Sequence, residues 1–513
     1  MTRLRWAGAL ALVGLATSAC GMGGGDSAGA SNSSGADDGH IVYAEFFAPA
    51  AAWAPESDDG QVLSRAGCLE TLLKYGYDGA LMESLATSWE QVEPTVWRFQ
   101  LREGVTFQNG TPMDAEAVTQ ALQHLLDAET PARSFNATVV SGVKAVDATT
   151  VEITTPAPDV LLPLRTASPN TGILAPEAYE GKQINIEGTC TGPFTVVKET
   201  PGQSLELERN DDYWGGKPGV ATAEVRFVAD GAARVTQAQT GEADIAGVIP
   251  AVAVSQLEGT DGVELTQLQG PRTASMLLNT SRPPFDDTSV RKAIQHAIDT
   301  AAIAAAVYEG VAVPAAGPFS QNDPWAASSA EPAAFDQDEA RSLLQDAGVD
   351  PESLAFELIA YNDRPEFADL ATVIQDQLGQ IGIKVKIRAG DYASFEPAFL
   401  SGDFDAALFS RGYLVDVADP AGYLRSDWSC EGTFNIAHYC DPQVDSMIAE
   451  AAKTEDADAR HEIEAQIAQK LEDDAASVFL VHESVTTAVG SDVHGFEPHP
   501  LNFYVLTSDL TVG

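Results

Sequence analysis

Basic residues are scarce in this 513-residue chain, in which 29 lysines and arginines stand against 75 aspartates and glutamates. The formal charge of −46 gives a field that repels phosphate backbones and anionic lipid headgroups, so nucleic-acid binding driven by counterion release is excluded. The acids are spread along the chain without blocks. We interpret them as a solvated acidic surface, as in a salty habitat, with an acidic site for a cationic ligand as the alternative.

Long apolar runs are also scarce, and the one that stands out, residues 6–19, follows the basic Arg3 and Arg5. A run of this length is too short to span a bilayer and is typical of the apolar core of a signal peptide. It ends in Thr-Ser-Ala before Cys20, which resembles the bacterial lipoprotein cleavage site, although Thr17 stands where Leu is usual. We predict a signal peptide over residues 1–19 and lipidation of Cys20, with an ordinary secretory cleavage nearby as the alternative.

Residues 20–39 lack apolar periodicity and are rich in Gly, Ser, Ala and Asp. This composition is typical of a flexible tether. No later apolar stretch is long enough for a membrane helix. We therefore expect an exported, extracytoplasmic protein, anchored by lipid to the outer face of the cell membrane.

Cysteines are few, and the four besides Cys20 are Cys68, Cys190, Cys430 and Cys440. An even count in an exported protein predicts two disulfides, for which three pairings exist. We favour Cys430–Cys440 as a short loop and Cys68–Cys190 as a long-range link, with one or more buried free thiols as the alternative. No CxxC pair occurs and no histidine is spaced with the cysteines, so a zinc site is not expected.

Catalytic motifs are missing as well: the chain has no P-loop, no GxSxG elbow between a strand and a helix, and no GxGxxG after a strand. His461 and Glu462 begin an HExxH motif, but Ala465 replaces its second histidine. His494 and His499 are five residues apart, which does not place two imidazoles on one helical face, so a surface loop is preferred to a metal site. We expect no enzymatic activity, no cofactor and no metal centre.

Local patterns alternate between helix and strand periods, which predicts an α/β chain with more than one sheet. The predicted elements are strands over 95–101 and 404–409, a hairpin over 143–154, a helix N-capped by Asp114, one long helix from Ser289 to Gly310, a helix begun by Asp336, and a helix through 370–378 leading into a strand over 383–388.

Four segments carry longer motifs, and they read WRFQLREGVTFQNGTP at 97–112, TGPF at 191–194 with RNDDYWGG at 209–216, LNTSRPPFDD at 278–287 with VRKAIQHAID at 290–299, and ARSLLQDAG at 340–348. In this order they resemble the solute-binding proteins of bacterial ABC importers, in the family of dipeptide, oligopeptide and nickel binders, family 5. The resemblance covers nearly all of the chain after the tether.

The resemblance implies an α/β, two-lobed fold of the periplasmic-binding-protein type, with a small α+β domain inserted in the first lobe. Lobe I would comprise residues 40–70, 190–275 and 491–513, the insert 71–189, and lobe II 276–490. A Cys68–Cys190 disulfide would then join the strands on which the insert is mounted. A monomer is expected.

The resemblance also places the ligand between the lobes and draws attention to the loop 410–420. In the peptide binders a Gly-Trp pair is followed after two residues by an Asp that pairs with the peptide α-ammonium. Here Gly412, Tyr413 and Asp416 take those places. A closed cleft removes water from an ammonium group, which then needs a paired charge. Asp416 thus favours an amine-bearing ligand, with a helix or turn cap as its alternative role.

Further ligand contacts are expected from residues near this loop. Tyr413 offers an apolar face and a hydroxyl, with simple packing as the alternative. Arg411 is a candidate partner for a ligand carboxylate, with a solvent-facing arginine as the alternative. Tyr361 and Asn362, with Asp363, follow the predicted strand 355–360 and are weaker candidates for the cleft.

These observations predict an extracytoplasmic binding protein that closes on a peptide-like solute and delivers it to ABC permease subunits. One alternative keeps this role for a nickel chelate or an opine-like metallophore. Another is a ligand-sensing or adhesion lipoprotein that serves no permease. An exported hydrolase is disfavoured by the missing catalytic motifs.

Overall fold

The structure, a computed structural model, describes residues 39–132, 134–181, 183–327, 331–362, 364, 366–414 and 417–513. The predicted signal peptide, Cys20 and the tether up to residue 38 lie outside the described residues, as do Asp363 and Asp416. Within the described ranges, no helix combines the length and the apolar character needed to cross a membrane.

The described strands are short except for two in the middle and at the end of the chain. They are β1 His40–Glu45, β2 Leu73–Tyr75, β3 Leu81–Glu83, β4 Ala86–Glu93, β5 Val96–Leu101, β6 Gly142–Asp147, β7 Thr150–Thr154, β8 Phe194–Thr200, β9 Ser204–Arg209, β10 Thr222–Phe227, β11 Ile245–Ala246, β12 Val263–Leu278, β13 Val313–Pro314, β14 Ala355–Tyr361, β15 Lys384–Gly390, β16 Ala406–Gly412, β17 Val478–Gly490, β18 Val493–His494 and β19 Thr511–Val512.

The described helices alternate with these strands over most of the chain. They are α1 Asp59–Arg65, α2 Ala115–Asp127, α3 Leu162–Arg165, α4 Gly231–Thr240, α5 Ala251–Leu257, α6 Thr288–His296, α7 Thr300–Ala306, α8 Gln337–Asp346, α9 Glu366–Gln380, α10 Tyr392–Ser401, α11 Ala421–Trp428, α12 Pro442–Ala451 and α13 Ala457–Asp473, with 3-10 helices at Pro169–Thr171, Pro176–Tyr179 and Pro351–Ser353.

Eleven of the described strands form one sheet, in the order β15-β14-β16-β12-β17-β11-β1-β10-β9-β8, with β13 beside β17. At one end β14 pairs in parallel with β15 and β16, and at the other β1 pairs in parallel with β10 and β11. Each parallel group has its own buried apolar cluster. The long antiparallel pair β12 and β17 belongs to both groups, so the fold is α/β with two lobes joined by these strands.

A separate four-stranded antiparallel sheet, β4-β5-β7-β6, packs with α2 around a third apolar cluster. It contains the predicted strand and hairpin, and α2 begins where Asp114 accepts a hydrogen bond from the Ala117 amide at 3.0 Å. This small α+β unit falls within the predicted insert. The exact residue limits of the lobes and the insert stay predictions.

The single long helix predicted from Ser289 is wrong, because two helices, α6 and α7, occupy its place. The Asp299 carboxylate accepts a hydrogen bond from the Ala302 amide at 2.9 Å. A carboxylate in that position caps a new helix N-terminus. The apolar spacing continued across this cap and concealed it.

Both favoured disulfides are confirmed: Cys68 pairs with Cys190 and Cys430 with Cys440, with Cα atoms 5.4 and 4.5 Å apart. The segments around the long-range bridge also exchange backbone hydrogen bonds. The Gly192 amide donates to the Cys68 carbonyl at 3.0 Å, and the Phe194 amide to the Gly67 carbonyl at 3.0 Å. The two segments on which the predicted insert is mounted are therefore adjacent and cross-linked.

Candidate functional site

The carboxyl ends of β14 and β16 lie side by side, because these two parallel strands are neighbours in the sheet. Ligands of open α/β sheets bind at this edge. The strands end at Tyr361 and Gly412. Three of the residues predicted from sequence, Arg411, Tyr361 and Asn362, are thus brought to one edge of lobe II.

The β12–β17 pair, which joins the two lobes, is irregular next to the end of β16. In the β12–β17 pair, Gln269 is opposite Ser484 and Thr273 is opposite His482, so three residues of β12 face only Glu483. One of the three is Pro271, which has no amide hydrogen to contribute to a ladder. The bulge places the next residue, Arg272, opposite Gly412 at the end of β16.

Two guanidinium groups converge on the side chain of Ser410. Arg272 donates from Nη1 to the Ser410 carbonyl at 2.9 Å and to its hydroxyl at 3.3 Å, and Arg364 donates from Nη2 to the same hydroxyl. Arg272 makes no ion pair with any described residue, and its Nε and Nη2 groups donate to no described atom. A largely buried guanidinium therefore keeps a free pair of donors.

The two nearby carboxylates are both bound by Arg364. Its Nη1 lies 3.0 Å from Glu366 Oε1 and 3.3 Å from Glu483 Oε2. Burial lowers the pKa of Arg364, but Glu483 and Glu366 outweigh this and leave the pKa raised. Burial also lowers the pKa of Arg272, the charge of Arg364 lowers it further, and Glu483 only partly opposes them. Arg272 is the under-compensated charge of the pair.

Arg411 already has an anionic partner. Its Nε and Nη2 lie 2.7 and 3.0 Å from the two carboxylate oxygens of Asp427, and its guanidinium stacks 4.7 Å from the centre of the Phe434 ring. The side chains border a cavity of about 20 Å³, a volume that admits one water molecule. This bidentate pair makes Arg411 a weaker partner for a ligand carboxylate than Arg272.

Tyr413 is 2 % exposed. Its hydroxyl donates to Asp323 and accepts the Ser320 amide at 3.1 Å. Burial of Asp323, opposed by its hydrogen bond from Tyr413, raises the pKa of that carboxyl to about 6. Both hydrogen-bonding roles of the Tyr413 hydroxyl are filled within lobe II, which supports the packing alternative for this residue.

Tyr361 is also buried, with its ring edge-on to those of Phe367, Tyr392 and Phe409. Burial raises its pKa, although Arg364 and a hydrogen bond with the Ser410 backbone lower it. Asn362 is exposed, and its amide donates to the Gly390 carbonyl at 2.9 Å. Asn362 is the more accessible of the two.

The loop 410–420 is anchored after its undescribed part. The Ala418 amide donates to the Tyr75 hydroxyl at 3.0 Å, and that hydroxyl donates to the Leu164 carbonyl at 2.9 Å. Tyr75 and Leu164 lie in the predicted insert, so the described end of this loop contacts that predicted unit. The predicted contact of Asp416 with a ligand stays a prediction.

The fold and this geometry agree with the comparison against protein families. Residues 80–435 match the family described as bacterial extracellular solute-binding proteins, family 5. The chain belongs to this family. Its relatives include the nickel-binding protein NikA of Staphylococcus aureus, 25% identical over 90% of this chain and 91% of that protein. The glutathione-binding protein GsiB of Escherichia coli K12 is 28% identical over 81% of this chain and 82% of its own length.

Among solved structures, the nickel ABC transporter of Bacillus halodurans superposes with a TM-score of 0.82 at 28% identity. The match covers 92% of this chain and 100% of that one. The two-lobed α/β fold expected from the sequence motifs is thereby confirmed.

Sequence reasoning missed Arg272 and Arg364, the two arginines of this family 5 protein that converge on Ser410. Arg364 comes two residues after Asn362, on a loop already considered, so a basic residue there was a usable signal. Arg272 follows Gly270 and Pro271 inside a strand. Gly and Pro within a strand indicate a bulge or a close approach, and this signal could have marked the crossing.

Proposed function

We propose that this protein captures a peptide-like solute between its lobes, outside the cytoplasm, and delivers it to the permease subunits of an ABC importer. The observation that carries the proposal is the Arg272 guanidinium, which lies at the lobe crossing with donors unused by any described residue. A guanidinium in this state suits a carboxylate, which it binds through two parallel hydrogen bonds.

The proposed orientation of the solute follows from the positions of two arginines and from the family motif. Its carboxylate would lie at Arg272, with Arg364 beside it across Ser410. Its ammonium would pair with Asp416, as the family motif implies, and Asn362 would supply a polar contact. Glutathione, which GsiB binds by its name, is a tripeptide with both charged groups, which supports a ligand of this class.

A nickel chelate is the second candidate, because NikA and the Bacillus halodurans protein are named for nickel. Carboxylates are common in small-molecule metal chelators, and they would meet the same arginines. The two candidates therefore differ in whether the solute needs a free ammonium group and a metal.

We also propose that the protein is exported by the signal peptide over residues 1–19, is lipidated at Cys20 and acts as a monomer on the outer face of the cell membrane. The sequence around Cys20 and the membership in an extracellular family support this. A Cys20→Ser variant should be released from the membrane fraction in cells, and retention of that variant would contradict lipidation.

The test of the ligand arrangement is calorimetric titration of a short peptide and of its C-terminally amidated form into wild type and Arg272→Gln. Loss of a charge-assisted hydrogen bond of about 2 kcal/mol should weaken binding of the free peptide about 30-fold. The amidated peptide should lose much less. Arg388→Gln is the matched control, since Arg388 is an exposed arginine on β15 paired with Glu357.

Equal losses for the free and amidated peptides would remove Arg272 from the carboxylate site. For the other end of the solute, Asp416→Asn should weaken binding of a free-amine peptide but not of its N-acetylated form. Unchanged affinity of Asp416→Asn for the free-amine peptide would remove Asp416 from the site.

A further inference from the structure

The loop 410–420 ends at a cluster of metal-ligating side chains that includes two residues of α13. Asp419 of the loop, and His461 and Glu464 of α13, each present one ligand atom, and these atoms all lie within 4.8 Å of one another. His461 and Glu464 are three residues apart, so they share a helical face. The three side chains come from two separate segments that converge on one point.

The Glu464 carboxylate is the unusual member of this cluster. Its residue has no exposed surface, and neither oxygen accepts a hydrogen bond from a described donor, although the carboxyl lies within hydrogen-bonding reach of the Asp419 carboxylate. Native structures pair almost all buried polar atoms, and a buried charge without a partner is strongly unfavourable. Two unpartnered oxygens directed into a cluster of ligand atoms therefore indicate a missing neighbour.

The charges nearby compensate Glu464 only in part, because Arg460 favours its ionised form while burial and Asp419 oppose that form more strongly. The only described cation in contact with the cluster, Arg460, pairs through Nε with Asp419 Oδ2 at 3.1 Å. Asp419 Oδ1 accepts the Ala421 amide at 2.9 Å. The Arg460 guanidinium thus pairs with only one of the two carboxylates, and an ionised Glu464 would leave one buried negative charge without an ion pair.

His461 is positioned as a neutral ligand. Its ring is half-buried, lies edge-on to Trp325 with 5.3 Å between ring centres, and makes no hydrogen bond to any described atom. Burial lowers its pKa, which disfavours the protonated form that cannot bind a metal ion. His461 is the most exposed of the three, so an ion from solvent would reach the cluster on its side.

We propose that Asp419, His461 and Glu464 bind a zinc ion that fastens the described end of the loop, residues 417–420, to α13. Zinc accepts imidazole nitrogen and carboxylate oxygen together, and three protein ligands with one water complete its tetrahedral shell. The sequence did not reveal the site. In an HExxH motif the second metal ligand lies four residues after the first histidine, whereas Glu464 lies three residues after His461. The third ligand comes from a distant loop.

The rival arrangement places a proton in the cluster in place of a metal ion. Burial, with the nearby Asp419 charge, raises the pKa of Glu464 to about 9. A protonated Glu464 could donate to Asp419 and remove the excess charge without any ion. The two arrangements respond in opposite ways to replacement of Glu464 by its neutral amide.

The experiment uses purified protein dialysed against EDTA, then given zinc chloride, with the metal content measured by mass spectrometry after gel filtration. We expect one zinc per chain and, at a hundred times the dissociation constant, a rise in melting temperature of about 3 °C. His461→Ala and Glu464→Gln should lose both effects. Glu462→Gln, an exposed neighbour on α13, should keep them.

Two outcomes would overturn the proposal. Absence of bound zinc, with Glu464→Gln as stable as wild type or more stable, would assign the proton arrangement. Zinc retained equally by His461→Ala and Glu464→Gln would place the ion elsewhere. If Glu464→Gln does not fold, the half-exposed His461→Ala variant decides alone, and zinc that survives this substitution overturns the proposal.

Discussion

The two disulfides should stabilise the protein unequally, because they close loops of very different length. Cys68 and Cys190 are 122 residues apart, and Cys430 and Cys440 are 10 apart. Each cross-link lowers the conformational entropy of the unfolded chain. On the chain-entropy estimate, this stabilises the folded state by about 5 kcal/mol for the first disulfide and about 2.7 kcal/mol for the second. The long-range bridge also ties the two segments that carry the insert.

The assay is guanidinium unfolding of two double variants, Cys68→Ala with Cys190→Ala, and Cys430→Ala with Cys440→Ala, each against wild type. The first should lose about 5 kcal/mol of unfolding free energy and the second about 2.7 kcal/mol. Wild type reduced before unfolding should lose about the sum. An equal loss in the two variants, or a larger loss from Cys430 and Cys440, would refute the loop-length reasoning.

Two further predictions concern buried charges. Glu45→Gln should destabilise the protein by about 3 kcal/mol or more in denaturant unfolding, because it leaves Arg65, whose side chain is 4% exposed, without the carboxylate 2.6 Å away; an unchanged midpoint would contradict this. Burial raises the pKa of Asp323 to about 6, so the folded state favours its protonated form. The resulting contribution to the free energy of unfolding, about 3 kcal/mol, is complete below pH 4 and is lost as pH rises through 6. Asp323→Asn should abolish that part of the pH dependence, and identical pH profiles for variant and wild type would show that Asp323 does not titrate as described.

Much of the fold was predictable because local patterns and the global arrangement agree. The alternation of Trp97, Phe99 and Leu101 gave β5, and the aspartate before the apolar stripe of α2 gave its start. The failure at Asp299 has a physical reason: the residue caps α7 without interrupting the apolar spacing. Periodicity alone does not detect such a break.

The candidate site was only partly predictable, because its geometry depends on pairs far apart in sequence. Arg272 meets Ser410 across 138 residues, and Arg364 meets Glu483 across 119. Arg411 was predicted as a site residue, but no local pattern indicated that Asp427 would accept hydrogen bonds from both its Nε and its Nη2. Strand ends could be predicted, whereas the pairing of charges at those ends required the sheet order.

The most direct test of peptide capture is a thermal-shift screen of purified protein that has been unfolded and refolded to remove carried-over solute. The panel holds di- to octapeptides, their N-acetylated and C-amidated forms, opines, and nickel with and without histidine. A free peptide at a hundred times its dissociation constant should add about 2.7 kcal/mol of stability. Capping either end, at about 30-fold weaker binding, should reduce this to about 0.9 kcal/mol at the same concentration. Stabilisation by nickel complexes or opines alone, with no response to any free peptide, would contradict the account.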